Sequence, residues 1–352
     1  MSLWVDKYRP TELAALSCHA PLSAQLTRLA QSNDLPHLLF YGPSGGGKKT
    51  RILAILRELY GPSVEKVKLD TRSFTTPSNR TLSVAVVSSL YHLEVTPSEV
   101  GFHDRVVVQD LIKEVAQAPQ LNAHANRRFK VVVIHEADTL TRDAQTALRR
   151  TMERYTSNLR VILCCNTTSR IISPIRSRCL LVRVPAPSED EVCQVLQSVA
   201  DKEQVQLPDV LARRIALQSE RNLRRAILML EALHAQDQTL KENVPIPLAD
   251  WQEYIQEVAA SMVQEQTPQR LLQVRSKYYE LMAHCIPPSV ILKELVFALM
   301  KNVDDQLKPE IITQAAFYDH RLQCGQKAIF HLEAFTAQFM SAYKRYLIEM
   351  YG

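Results

Sequence analysis

The chain has 352 residues, 46% of them hydrophobic and 22% charged, with a formal net charge of +5. That length predicts two or three domains with a sizeable core, and the composition is that of an ordinary globular protein. No run approaches the ~20 apolar residues of a membrane helix, the first residues lack a basic-then-apolar signal, and the seven cysteines include no C-x-x-C pair. These features argue against a membrane protein, a secreted disulfide scaffold and a zinc module, and predict a reducing compartment. The charge surplus alone is too mild to mark a nucleic-acid binder.

Trp4, Lys7, Tyr8, Arg9 and Pro10 open the chain as an aromatic and basic segment, which by itself reads as an ordered tail packed on the core. A helix follows in which Leu22, Leu26 and Leu29 share one face. Leu38, Leu39, Phe40 and Tyr41 then read as a buried strand, residues 42–47 as a glycine-rich loop, and Ile52, Ile55, Leu56 and Leu59 as one face of a helix. Gly42, Gly45, Gly46 and Gly47 are half of the chain's eight glycines. Strand, glycine loop and helix in this order make a phosphate cradle: loop N–H groups and the helix N-terminus face the anion, and Lys48 reaches its terminal phosphates. The pattern G-x-x-x-x-G-K fits residues 42–48, but the next position, which should offer a Ser or Thr hydroxyl to Mg²⁺, is Lys49. Thr50 comes one residue late, about 100° further round the helix, and is expected to point elsewhere. Phosphate binding is predicted to be intact and metal chemistry lost.

A strand is expected near residues 67–69, and the alternating runs Leu82, Val84, Val86 and Leu93, Val95 predict an exposed hairpin or paired edge strands. Val108, Leu111, Ile112 and Val115 mark an amphipathic helix whose other face carries Arg105, Gln109 and Lys113. Residues 129–134 form a second core strand, running into His135, Glu136, Ala137 and Asp138. An apolar strand ending in an acidic pair is the Walker B pattern, in which the Asp holds Mg²⁺ and the Glu positions the attacking water. Here the Asp position is His135, and a neutral imidazole is a poor ligand for a hard cation. Glu136 stands where the catalytic carboxylate belongs. Residues 141–155 read as a helix with Ala144, Ala147, Leu148 and Met152 on one face, and residues 159–165 as a third core strand ending at Asn166. By itself Asn166 is an ordinary turn starter. A short loop or helical turn at 173–179 holds Ser177, Arg178 and Cys179.

Pro185 and Pro187 mark a boundary, after which Ser188 and Glu191 form a capping box opening a helix. Two more helices are expected at 210–219 and 222–233, and the polar stretch 236–250, with Pro245 and Pro247, reads as a linker. Everything beyond it reads as helical. Thr267 and Pro268 give an N-cap and a first-turn proline, with Leu271, Val274, Tyr278 and Leu281 on one face. Pro287 and Pro288 open a helix carrying Ile291, Leu295 and Leu299, and residues 326–350 form a last one carrying Leu332, Phe335 and Phe339. His284, His320 and His331 lack metal-ligand spacing. The predicted division is a nucleotide-binding core at 1–168, a helical lid at 169–235, a linker at 236–250 and a helical bundle at 251–352.

As a set, W-V-D-K-Y-R-P at 4–10, G-P-S-G-G-G-K-K-T at 42–50, A-L-R-R-T-M-E at 147–153 and S-R-C at 177–179 resemble the motifs of the clamp-loader AAA+ ATPases, specifically the replication factor C small subunits. The resemblance covers the chain from Trp4 to the terminal helix. It implies an α/β P-loop AAA+ domain with a parallel sheet and flanking helices, a small α-helical lid and a C-terminal α-helical collar through which five subunits close a ring. It implies that Tyr8, Arg9 and Pro10 line the adenine pocket, and that Gly42, Pro43, Ser44, Gly45, Gly46, Gly47, Lys48, Lys49 and Thr50 form the phosphate cradle. Asn166 falls at the sensor 1 position. Arg224 falls at the sensor 2 arginine, although Arg221 and Asn222 replace the family's Gly and Asp. Arg149 and Arg150 are assigned to the subunit junction. Arg105 and Arg142, at two helix N-termini, become candidates for DNA phosphate contacts, with solvated surface charge as the plain alternative. Arg178 takes the place of an arginine finger that acts in trans on a neighbour's nucleotide, a task suited to an always-charged, forked guanidinium.

The departures from the family point in one direction. H-E-A-D replaces D-E-A-D, so both protein ligands to Mg²⁺ are missing, at Lys49 and at His135. The site is therefore expected to hold ATP or ADP with weak or no Mg²⁺ and to hydrolyse it poorly or not at all, leaving Glu136 vestigial. The combination narrows the resemblance to the small subunit at one end of the arc. The implied function is that of a nuclear, hetero-pentameric clamp loader that uses ATP to open the PCNA sliding clamp and load it at primer–template DNA. Two other readings stay open: a catalytically active AAA+ ATPase whose Mg²⁺ is held by Glu136 and substrate oxygens alone, and a shared scaffold of a checkpoint or cohesion loader.

Overall fold

The structure is a computed structural model that describes residues 2–32, 34–75, 81–117, 129–237, 240–325 and 327–351. The chain divides into two compact units, Met1–Ile246 and Pro247–Gly352. That division falls inside the segment predicted as a linker.

The first unit begins with α1 (Trp4–Lys7), α2 (Ala20–Gln31), β1 (His37–Tyr41), α3 (Lys48–Tyr60), β2 (Lys68–Thr75), β3 (Thr81–Ser88) and β4 (His92–Val95). It continues through α4 (Asp104–Gln117), β5 (Lys130–Ile134), α5 (Arg142–Arg154), β6 (Leu159–Cys165), α6 (Ser173–Arg176) and β7 (Cys179–Arg183) to α7 (Glu189–Lys202), α8 (Asp209–Gln218) and α9 (Leu223–Gln236). One seven-stranded sheet runs β2-β3-β4-β5-β6-β1-β7, parallel from β4 to β7 and antiparallel through β2, β3 and β4. Leu38, Phe40, Val131, Val133 and Ile162 pack on one face against Ile52, Ile55 and Leu56 of α3. Leu39, Val132, Ile134, Val161 and Leu163 pack on the other, against Leu111 of α4 and Leu148 of α5. Both faces are covered, so these strands read as unbroken apolar runs.

Two expectations need correction. The sheet extends past residue 168: β7 pairs in parallel with β1, Leu39 opposite Leu181, so the α/β layer runs to Arg183. Leu180 and Leu181 are 45% and 47% exposed on this edge strand, which blurs its apolar signature. The runs around residues 82–95 do pair as antiparallel neighbours, β3 with β4, but neither as an exposed hairpin nor at the sheet edge. All of β4 is buried and it pairs in parallel with β5, while β2 forms the edge and exposes Leu69. Alternation reports one covered face and does not say how many strands lie beyond it.

His37 shows how tightly the sheet is closed. It is buried, and its Nδ1 accepts the Val161 N–H at 3.0 Å. Burial, helped by the Arg160 charge, pushes its pKa down to about 4. In the unfolded chain an imidazole titrates near 6.5, so between these values the unfolded state binds the extra proton. Stability is then full above about pH 6.5 and falls as pH drops toward about 4, by roughly 3 kcal/mol from this group. Urea midpoints measured at about pH 7 and about pH 4.5 check this. His37→Gln should lose less on acidification, and equal losses would refute the assignment.

The second unit comprises α10 (Asp250–Gln264), α11 (Pro268–Ala283), α12 (Pro288–Asn302), α13 (Lys308–Cys324) and α14 (Ala328–Tyr351). Thr267 caps α11 by accepting the Arg270 N–H. Val274, Tyr278, Leu281, Ile291, Leu295, Leu299, Leu332, Phe335 and Phe339 form its core. The buried phenol of Tyr278 is satisfied: the Tyr278 and Thr336 hydroxyls lie 2.8 Å apart.

Candidate nucleotide site

Between β1 and α3 the chain makes the predicted loop, and two of its glycines are required by close approach. A Cβ on Gly42 (φ +149°) would lie 1.9 Å from the Val184 carbonyl oxygen, and one on Gly45 (φ +73°) 1.7 Å from Asn222 Oδ1. The loop thus lies directly against the residue that follows β7 and against the lid. Beside them opens a cavity of about 500 Å³, within the range of small-ligand sites. Tyr8, Arg9, Pro10, Ser44, Gly45, Gly47, Lys48, Lys49, Thr50, Glu136, Asn166 and Arg224 all line it. Gly42, Pro43 and Gly46 contribute through their carbonyls, the first two to Lys48 and the third to Arg51. Thr50 reaches the cavity, contrary to expectation, because the cavity wraps the first turn of α3 and is lined by every residue from Gly47 to Arg51.

Lys48 is 8% exposed, and its ammonium donates to Gly42 O (2.7 Å), Pro43 O (2.8 Å) and Asn166 Oδ1 (2.9 Å). Burial pulls its pKa below the ordinary lysine value. These contacts hold the ammonium between the loop and the Asn166 side chain at the end of β6, and a bound phosphate would take over part of them. Asn166 is itself oriented by its N–H, which donates to Asp138 Oδ2 at 3.1 Å. Glu136 sits with a left-handed backbone (φ 51°) just past β5, and Ser98 Oγ donates to its Oε2 at 3.1 Å.

The two positions that should hold Mg²⁺ instead converge on Glu94, a residue that the sequence reading did not single out. Glu94 Oε2 lies 3.0 Å from His135 Nε2 and 3.4 Å from Lys49 Nζ. Burial alone would raise the pKa of this carboxyl, but the imidazoles of His135 and His92 and the Lys49 charge outweigh it and hold the group well below the usual carboxylate range. A divalent ion needs oxygen ligands in near-octahedral order, and an ammonium about 4 Å away would oppose it by roughly 8 kcal/mol at an effective dielectric of about 20. The residues present fit a nucleotide's phosphates and do not fit Mg²⁺.

The opening segment packs on the lid helices, not on the sheet. Trp4 joins the lid core, with its ring centroid 5.4 Å from that of His234, and its backbone N–H donates to Glu231 Oε2 at 3.1 Å. Tyr8 Oη donates to Glu203 Oε1 at 2.6 Å. The lid opens with the predicted capping box of Ser188 and Glu191. Arg221 has φ +62°, a left-handed backbone that glycine would adopt without strain, and Asn222 caps α9 by accepting the Arg225 N–H.

Residues 251–347 match the family described as "Replication factor C subunit 3, C-terminal domain", residues 194–235 the "RCF1/5-like, AAA+ ATPase lid domain", and residues 18–188 "DNA polymerase III, delta subunit". Replication factor C subunit 5 of Neurospora crassa is 58% identical over 350 residues, covering 99% of each chain. Replication factor C subunit 3 of Mus musculus is 56% identical over 347 residues, covering 99% of this chain and 98% of the mouse protein. This chain belongs to the replication factor C subunits. A solved mutant of Thermotoga maritima RuvB shares the fold at a TM-score of 0.50 and 15% identity, over 77% of this chain and 85% of that one.

In this replication factor C chain the remaining predicted residues lie outside the cavity. Arg178, at the end of α6, is one-third exposed, with an N–H donating to Pro174 O (2.8 Å) and an ion pair to Glu153 (2.5 Å). Arg149 reaches the same carboxylate oxygen at 3.2 Å, while Arg150 is exposed. Arg105 and Arg142 are exposed at the starts of α4 and α5. The structure joins those two starts through buried Asp104, whose oxygens accept the Thr141 N–H (2.7 Å) and hydroxyl (2.8 Å). Sequence reading also missed Arg51, 1% exposed, which donates to Cys18 O (2.7 Å) and Gly46 O (3.3 Å) and fastens the phosphate loop to the segment before α2. Its signal was spacing: it lies on the helical face shared with Lys48 and Ile55. Among the described residues no group of three His, Cys, Asp or Glu side chains is arranged to hold a metal ion, and no helix is long and apolar enough to cross a membrane.

Proposed function

We propose that this chain is a nucleotide-holding, non-hydrolysing subunit of a clamp-loading ATPase, and that it completes a neighbouring subunit's active site with Arg178. The observation that carries the reading is the asymmetry of its own site. Lys48 is in place on the loop beside a cavity of nucleotide size, while Lys49 and His135 are bound to Glu94 where metal ligands belong. Arg178 lies outside that cavity, beside Arg149 on the shared Glu153 carboxylate. In the assembly envisaged, five replication factor C subunits act in the nucleus to open the PCNA clamp and load it at primer–template DNA. Tyr8, Arg9 and Pro10 hold the base, Lys48 and Asn166 the phosphates, and Arg224 closes the lid side. Arg105 and Arg142, held together through Asp104 and Thr141, meet DNA phosphates at two helix N-termini.

The test is reconstitution of the five-subunit complex with this chain carrying Lys48→Ala, followed by clamp- and DNA-stimulated ATP hydrolysis. The rate is expected to stay close to wild type, and the isolated wild-type chain to show no turnover. Hydrolysis by the isolated chain, lost in Lys48→Ala, would establish an active ATPase instead.

A further inference from the structure

Three side chains around the missing metal positions share one carboxylate. Glu94, on β4, is 5% exposed; its Oε2 lies 3.0 Å from His135 Nε2 and 3.4 Å from Lys49 Nζ, and its Oε1 lies 3.6 Å from His92 Nε2. Lys49 is the second residue of α3, lines the cavity and is 45% exposed there, so its ammonium faces both Glu94 and the space a ligand would fill. We propose that Lys49, pinned by Glu94, is the resident cation of this site, and that a nucleoside di- or triphosphate binds to Lys48 and Lys49 without a divalent metal. This inference rests on the nucleotide reading above and deepens it.

The chemistry is complementary. An ammonium carries three N–H donors, so Lys49 can keep its contact with Glu94 and still donate to phosphate oxygens. A lysine side chain is long and flexible, and tethering it to a buried carboxylate reduces the ordering cost of binding. Glu94 in turn is held by His135 on the oxygen it shares with Lys49 and by His92 near its other oxygen, which fixes the carboxylate in place. The residues that replaced the Ser/Thr hydroxyl and the Asp carboxylate thus form one unit with Glu94: a cation, and the imidazole that positions the cation's anchor.

Titration of a fluorescent ADP analogue, mant-ADP, into the full-length chain tests this, in excess EDTA and in excess MgCl₂. Equal affinity in the two buffers is expected. Lys49→Ala should weaken binding roughly tenfold or more in both, the worth of one charge-assisted hydrogen bond. Lys49→Thr combined with His135→Asp should make binding depend on magnesium. The wild-type comparison needs no variant, and the thermal midpoint of each variant separates misfolding from lost contacts. Tightening of wild-type binding by magnesium of roughly tenfold would overturn the proposal and make Glu94 a metal ligand. Wild-type affinity in Lys49→Ala would remove the role of Lys49. No binding by the wild-type chain in either buffer would overturn the nucleotide reading itself, and the proposal with it.

Discussion

Replacing Arg178 with alanine in an assembled complex is expected to slow ATP hydrolysis at the neighbouring site by roughly 10³–10⁵-fold, the worth of a trans-acting arginine in comparable NTPases. A guanidinium stabilises charge building on a transferring phosphoryl group because it is always protonated and presents a rigid fork of donors, so Arg178→Lys should rescue little. The isolated chain should barely register either change. The Arg178–Glu153 pair is 34% and 43% exposed at its side chains, and exposed pairs contribute about 0–1 kcal/mol. Single-turnover hydrolysis in complexes where only the adjacent site is competent measures the effect. Full activity in Arg178→Ala would remove the chain's role in trans, whatever its own site binds. Glu153 gives Arg178 a defined resting place, with Arg149 on the same carboxylate oxygen.

Phe335→Ala is expected to destabilise the second unit by about 3–5 kcal/mol through lost burial and the cavity left behind. Phe335 is 0% exposed within a core that includes Tyr278, Leu332 and Phe339, and its ring lies 6.2 Å from that of Tyr318. Domains of this size hold about 5–15 kcal/mol in all, so the loss is a large fraction, equivalent to roughly 12 °C or more in unfolding midpoint. Calorimetry of the full chain, with Phe330→Ala as comparison, checks it. Phe330 is 54% exposed and should cost far less. Equal shifts for the two would mean that the helical packing is wrong.

Much of this architecture could be read from local pattern. β1, β5 and β6 are covered on both faces and announce themselves as apolar runs, while α5, α7 and α11 carry their own caps at Thr141, Ser188 and Thr267. The helical core residues of the second unit recur at helical spacing and are found packed together. The cradle was legible because its residues are contiguous. Glu94 and Asp104 were not, because each works with partners distant in the chain. Glu94 meets Lys49 and His135, 45 and 41 residues away; Asp104 meets Thr141. A single charge within a short strand resembles solvent-facing decoration until the neighbouring strand is placed beside it. β7 was missed for a related reason: parallel pairing with β1 spans most of the core, and its exposed leucines carry little periodicity.

The contact between Gly45 and Asn222 has a mechanical consequence. With not even a methyl group's clearance between the phosphate loop and the start of α9, the joint has no slack. Close-packed surfaces transmit displacement more than they absorb it, so a shift of the loop is expected to reach Asn222 and, through its cap on the Arg225 N–H, the start of α9. Occupancy of the cavity would then be felt at the base of the lid without a bond being broken.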